Sequence, residues 1–159
     1  MQGTQGGRIL ILGVGNLLLG DEGVGIHALR ALARRELPPH VDLLDGGTPG
    51  FDLLHLIQGY EKVLIVDAVD AGQEPGAVLR FALEDVSSAS AGLALSLHQT
   101  EVLEVLQLGR YLGRALPPIV LYGIQPQTMN WGTELSDTVL DSLDALLEAI
   151  QKEVSETPE

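Results

Sequence analysis

The chain has 159 residues and no cysteine, is 45 % hydrophobic but only 4 % aromatic, and carries a formal net charge of −13. Disulfides, thiol nucleophiles and thiolate metal sites are excluded. Nucleic acid and anionic membrane surfaces are disfavoured, because both demand cations on the protein. The aliphatic composition suits one domain over 1–159, loose at 1–7 and 155–159, with a parallel sheet under helices.

The first stretch, "MQGTQGGRIL", has no basic region ahead of a long apolar run, so no secretory signal is expected. No stretch approaches the roughly 18 apolar residues of a membrane span. The chain is read as a soluble, cytoplasmic monomer. "RILILGV" predicts a buried strand closed by glycine. Past the following loop, Ile26, Leu29, Leu32 and Ala33 recur at helical spacing through "GIHALRALARRE", with Arg34 and Arg35 suited to the end of a helix. "VDLLD" reads as a second strand, "FDLLHLIQGY" as a second helix and "KVLIVDAV" as the clearest strand of the chain. "GAVLRFAL", reached through the turn-rich "DAGQEPG", predicts an antiparallel edge strand. A Ser/Ala-rich connection over 84–97 leads to an amphipathic helix, "TEVLEVLQLGRYLG", with Leu103, Leu106 and Tyr111 among its apolar positions. "PPIVLYGI" is the last strand. Ser136 is placed to cap a final helix whose apolar face holds Val139, Leu140, Leu143, Leu147 and Ile150.

Strands alternating with helices predict an α/β fold: a three-layer α/β/α sandwich on a mostly parallel, twisted sheet of about five strands. Sites in such sheets form beyond the carboxyl ends of the strands. Three acidic positions fall there, Glu22, Asp45 and Asp67.

The glycine loop "GVGNLLLGDEGVG" invites a nucleotide reading, which fails. Gly13 and Gly15 match G-x-G-x-x-G, but Leu18 stands at the third glycine, and Asp21 and Glu22 would repel a pyrophosphate. Helix capping is the structural alternative for those two acids. Asp67 weighs against leaving it there, since a carboxylate ending a central strand is costly to bury unless paired or solvated in a cleft. Of the four histidines, His27 and His55 lie among helical leucines and His40 in a proline turn. His98 of "LSLHQT", ahead of a helix, is the one placed to reach a cleft. Two carboxylates and one imidazole from separate connections suit a metal or general acid–base chemistry. With one strong histidine candidate, a permanently held zinc is disfavoured.

"GVGNLLLGDEGVG", "DGGTPG", "VDAVDAG" and "SLHQ", in this order, resemble the hydrogenase maturation endopeptidases, over about residues 8–150. The resemblance implies an α/β/α sandwich that removes a carboxy-terminal extension from a [NiFe]-hydrogenase large-subunit precursor after nickel insertion. It implies that nickel is carried by the substrate rather than held permanently. The family's nickel-binding residues correspond to Glu22, Asp67 and His98, with Glu22 and Asp67 also candidates for catalysis. Asp45, Gly46, Gly47 and Thr48 would shape the substrate cleft, and Gly13, Gly15 and Asn16 the loop that presents Glu22. A non-proteolytic, nickel-dependent chaperone for the same precursor is the alternative.

Overall fold

In the computed structural model, residues 7–83 and 97–156 are described, with side chains from 102 onward in the second stretch. Five strands, β1 (Ile9–Val14), β2 (Val41–Gly47), β3 (Lys62–Ala68), β4 (Val78–Ala82) and β5 (Ile119–Ile124), form one sheet in the order β2-β1-β3-β5-β4. All neighbours are parallel except β4, which runs antiparallel to β5 at the edge, as the turn-rich linker before it predicts.

Among the described residues, four helices cover the sheet: α1 (Val24–Leu32), α2 (Leu53–Leu56), α3 (Leu97–Tyr111) and α4 (Asp137–Ser155). Strand alternation sorts the central residues between two cores. Ile9, Ile11, Leu64, Val66, Val120 and Tyr122 pack with α1 and α4. Leu10, Leu12, Val63, Ile65 and Ile119 pack with α2 and α3 on the other face. Aliphatic side chains thus fill both layers, which is why so few aromatics suffice.

Several local expectations are corrected. Only one turn of the predicted second helix forms, because Gly59 in the left-handed region (φ +88°) ends the segment. Helix α1 stops at Leu32, and Ala33 beyond it is exposed. Tyr111 is 86 % exposed and Leu140 53 % exposed, so neither belongs to the apolar face assigned to it. In α4 the buried face continues instead through Leu146 and Val154. Ser136 does cap α4, its hydroxyl accepting from the Val139 N–H at 3.3 Å. The expected loose ends lie mostly outside the described residues, and α4 itself extends to Ser155.

Candidate functional site

The loop after β1 enters a single 3₁₀ turn, Gly20–Gly23, before α1 begins. Gly15 is needed where it stands: its φ is +149°, and a Cβ there would lie 2.2 Å from the Glu22 carbonyl oxygen. The Asn16 side chain accepts from the Leu18 N–H at 2.9 Å and closes the turn. The glycine missing at position 18 has a counterpart farther on. A Cβ on Gly25 would meet the carbonyls of Val66 at 2.2 Å and Val14 at 2.3 Å, and one on Gly13 would meet the Gly25 carbonyl at 2.7 Å. Close approach of helix to sheet is therefore achieved by Gly13 and Gly25, with the 3₁₀ turn intervening. That turn packs against β3, bringing Glu22 to the carboxyl end of the strand that bears Asp67.

Neither Asp21 nor Glu22 caps a helix through its side chain, although both stand in the first turn of the 3₁₀ segment. Leu19 holds the N-cap position of the 3₁₀ turn and Gly23 that of α1, and neither makes a side-chain cap hydrogen bond. Asp21 is fully buried, and its carboxylate accepts from the N–H groups of Gln127 (2.9 Å), Thr128 (3.0 Å) and Ser136 (2.8 Å) and from the Ser136 hydroxyl (2.8 Å). It braces the entry to α4, so its hydrogen-bonding capacity is used within the fold. Glu22 is only partly buried and keeps contact with solvent.

Asp67 is 4 % exposed, near the end of β3, and its Oδ1 accepts from the Ala68 N–H at 2.8 Å. Following Val63 and Ile65 by alternation, it lies on the face covered by α2 and α3. Helix α3 leads through 112–118 to the start of β5, so its first turn, with the backbone of His98, stands at the carboxyl edge. The His98 side chain lies outside the described residues, as does most of the 84–97 connection. Among the described residues no three His, Asp or Glu side chains form a metal-holding group.

Asp45 does not close β2, which continues to Gly47; it pairs in register with Gly13 and is exposed. Its carboxylate accepts from the Gly47 N–H at 2.9 Å, while Gly46 packs near Leu12 and Thr48 faces solvent. The two loops touch where the Gly15 N–H donates to the Gly47 carbonyl at 2.8 Å. The structure thus brings Glu22, Asp67 and the Asp45–Thr48 turn to one edge.

Sequence reasoning missed the segment 125–136, which completes this edge. The buried Gln125 accepts from the N–H groups of Ala71 (2.9 Å) and Gln73 (3.1 Å) and donates to Asp70 (2.9 Å), fixing the loop that follows β3. Its advance signal was the chain's one tryptophan, Trp131, in a loop between the last strand and the last helix. His27 lies beside this segment. Desolvation, reinforced by Arg30, lowers its pKa despite the nearby Thr133 carbonyl, and its buried Nε2 has no hydrogen-bond partner.

A mostly parallel sheet covered on both faces, with Glu22, Asp45 and Asp67 at its carboxyl edge, defines an α/β protein of the kind whose sites form at that edge. Comparison narrows the class. The hydrogenase maturation protease family matches residues 26–153. The chain is 37 % identical to a hydrogenase expression/formation protein, HupD, of Bradyrhizobium diazoefficiens over 88 % of its own length and 74 % of that protein. It is 34 % identical to the hydrogenase 2 maturation protease of Escherichia coli, over 90 % and 88 % of the two chains. The solved hydrogenase maturating endopeptidase HybD from E. coli superposes with a TM-score of 0.82 at 33 % identity, covering 93 % of this chain and 92 % of that one. The chain belongs to the hydrogenase maturation protease family. Among the described residues no helix is long and apolar enough to cross a membrane.

Proposed function

We propose that this protein is an endopeptidase that removes the carboxy-terminal extension of a [NiFe]-hydrogenase large-subunit precursor once nickel has been inserted. Family membership supports the peptidase chemistry and the class of substrate. The observation that carries the nickel-dependent part is Asp67, a carboxylate only 4 % exposed near the end of a central strand, beside the turn that carries Glu22. An anionic cleft of this kind gains most from a cationic ligand that arrives with the substrate.

In this reading Glu22, Asp67 and His98 meet the nickel carried by the precursor and so position the scissile peptide. One carboxylate of the pair accepts a proton from water as its oxygen adds to the scissile carbonyl carbon. The C–N bond then breaks and the departing amine takes up a proton, giving a shortened precursor and a free peptide. The Asp45–Thr48 segment at the end of β2 flanks the bound tail of the substrate.

The test is intact-mass analysis of nickel-loaded and nickel-free precursor incubated with this protein or its Glu22→Gln variant. Loss of a carboxy-terminal peptide from the nickel-loaded precursor alone, and with the unmodified protein alone, is the expected result. A precursor that binds but stays intact would replace the peptidase by the chaperone reading. Glu22→Gln separates two roles: retained binding without cleavage assigns Glu22 to proton transfer, and loss of both assigns it to nickel.

A further inference from the structure

Two loops of the carboxyl edge carry large apolar side chains that stand exposed among the described residues. Leu18 is 54 % exposed on the loop after β1, and Met129 and Trp131 are 39 % and 81 % exposed on the loop after β5. The loops are joined by a single parallel bridge between Leu19 and Gly132: the Gly132 N–H donates to the Leu18 carbonyl and the Gly20 N–H to the Gly132 carbonyl, both at 2.8 Å. The Asp21 N–H donates to the Thr128 carbonyl at 3.0 Å, and the buried Asp21 carboxylate grips Gln127, Thr128 and Ser136. The patch is therefore held in one shape before any partner arrives, which lowers the ordering cost of binding.

Charge identifies the kind of partner. The edge loops 15–23, 48–52, 69–77 and 125–136 contain Asp21, Glu22, Asp52, Asp70, Glu74 and Glu134 and not one of the chain's 9 lysines and arginines. The cations sit elsewhere. Arg8 and Lys62 flank strand starts, and Arg30, Arg34, Arg35, Arg110, Arg114 and Lys152 lie at or beyond the carboxyl ends of helices that run back toward the amino edge. Arg80 is engaged by Glu153. An apolar patch in a field of one sign selects a partner surface that pairs bulky apolar side chains with lysine or arginine, and disfavours a second copy of this acidic edge.

We propose that Leu18, Met129 and Trp131 form the docking surface for a cationic, apolar face of the protein substrate, a contact beside the cleft that holds the precursor while its tail is cut. This rests on the substrate class assigned above. Trp131 anchors the contact, as an exposed tryptophan on a braced loop is suited to do, and the acidic rim speeds encounter and makes it salt-sensitive.

Trp131 is the only tryptophan in the chain, so 5-fluorotryptophan labelling yields a single ¹⁹F resonance to follow as unlabelled nickel-loaded precursor is added, with cleavage scored in parallel by intact mass. The resonance is expected to shift on binding and to revert as salt is raised. Leu18→Ser, followed on the same resonance, and Trp131→Ala, which lacks the label and is followed by titration calorimetry, are expected to weaken precursor binding about tenfold, the effect of losing one anchor worth about 1.4 kcal/mol. Tyr111→Ala, which removes an equally exposed aromatic at the opposite edge, is expected to leave binding unchanged. Cleavage with an unmoved resonance would overturn the docking surface while leaving the peptidase assignment intact. Neither binding nor cleavage would overturn both. A shift that follows this protein's own concentration would make the patch a self-association surface and sink the proposal.

Discussion

The carboxylate of Asp21 takes four hydrogen bonds with no solvent exposure, while Glu22, next in the chain, stays partly open to water. Two acids that look alike in "GDEGVG" therefore answer differently to the same change. Asp21→Asn places an amide nitrogen among donors that need an acceptor, and should cost about 2–4 kcal/mol, because hydrogen bonds to a charged acceptor are among the stronger ones and a mismatched buried group retains its desolvation penalty. Glu22→Gln should stay within about 0.5 kcal/mol of the parent, as surface substitutions away from packed features do, yet abolish processing. Urea denaturation of both variants checks this. Equal losses of stability would mean that Glu22 is also a brace. Sequence reading singled out this loop for its two acids but could not divide the labour between them. The partners of Asp21 lie more than 100 positions away, and nothing local announces them.

Helix α1 shows how an element can be legible while its fit is not. Its buried positions Ile26, Leu29 and Leu32 follow the expected period. Its close seat on the sheet depends instead on Gly25, where a Cβ would stand 2.2 Å from one strand carbonyl and 2.3 Å from another. Both obstacles are backbone, so no side-chain rotation relieves them, and the helix must lift. Gly25→Ala should cost about 3 kcal/mol or more, at or beyond the usual upper range for overpacking. It should also lower processing in variant molecules that remain folded, because the lifted helix drags the Glu22 turn away from β3. Gly50→Ala, where the nearest atom is 4.0 Å away, should leave stability nearly unchanged. Thermal unfolding and processing rates below the variant's transition measure the two effects separately. A Gly25→Ala protein as stable and active as its parent would show that the contact is slack. The misread positions Tyr111 and Leu140 have a related cause. Helical spacing marks a stripe, but where the sheet ends beneath that stripe decides which members are covered.

At the scale of the whole molecule, the alternation of strands and helices was readable, as was the antiparallel edge, because turn chemistry before β4 is local. The strand order was not, since chain position does not say that β1 lies between β2 and β3. Nor was the absence of lysine and arginine from the loops of the carboxyl edge, which is seen only once those loops are known to lie together. Folding also assembles Glu153, whose carboxylate meets Lys62 Nζ at 2.6 Å, Arg80 at 2.9 and 3.0 Å, and the Tyr122 hydroxyl. One side chain of α4 thus fastens β3, β4 and β5. Burial alone would raise the Glu153 pKa, but the bonds from Arg80, Lys62 and Tyr122 outweigh it and bring the pKa down to about 2, from an ordinary 4.5. A carboxylate depressed in the folded state contributes stability that is complete above pH 4.5 and is lost as pH falls through 4.5 toward about 2. Tyr122 works at the other limit: burial, then Glu153, pushes it up to about 12, so its contribution is complete below pH 10 and fades as pH rises through about 12. Glu153→Gln should lower stability at neutral pH by about 1–3 kcal/mol, leaving two cations without their anion. It should also flatten the acid limb of the stability curve below pH 4.5, since the group that titrates there has gone. Denaturant unfolding of parent and variant across an acidic pH series tests both parts, and parallel curves for the two proteins would show that the clamp does not govern acid stability.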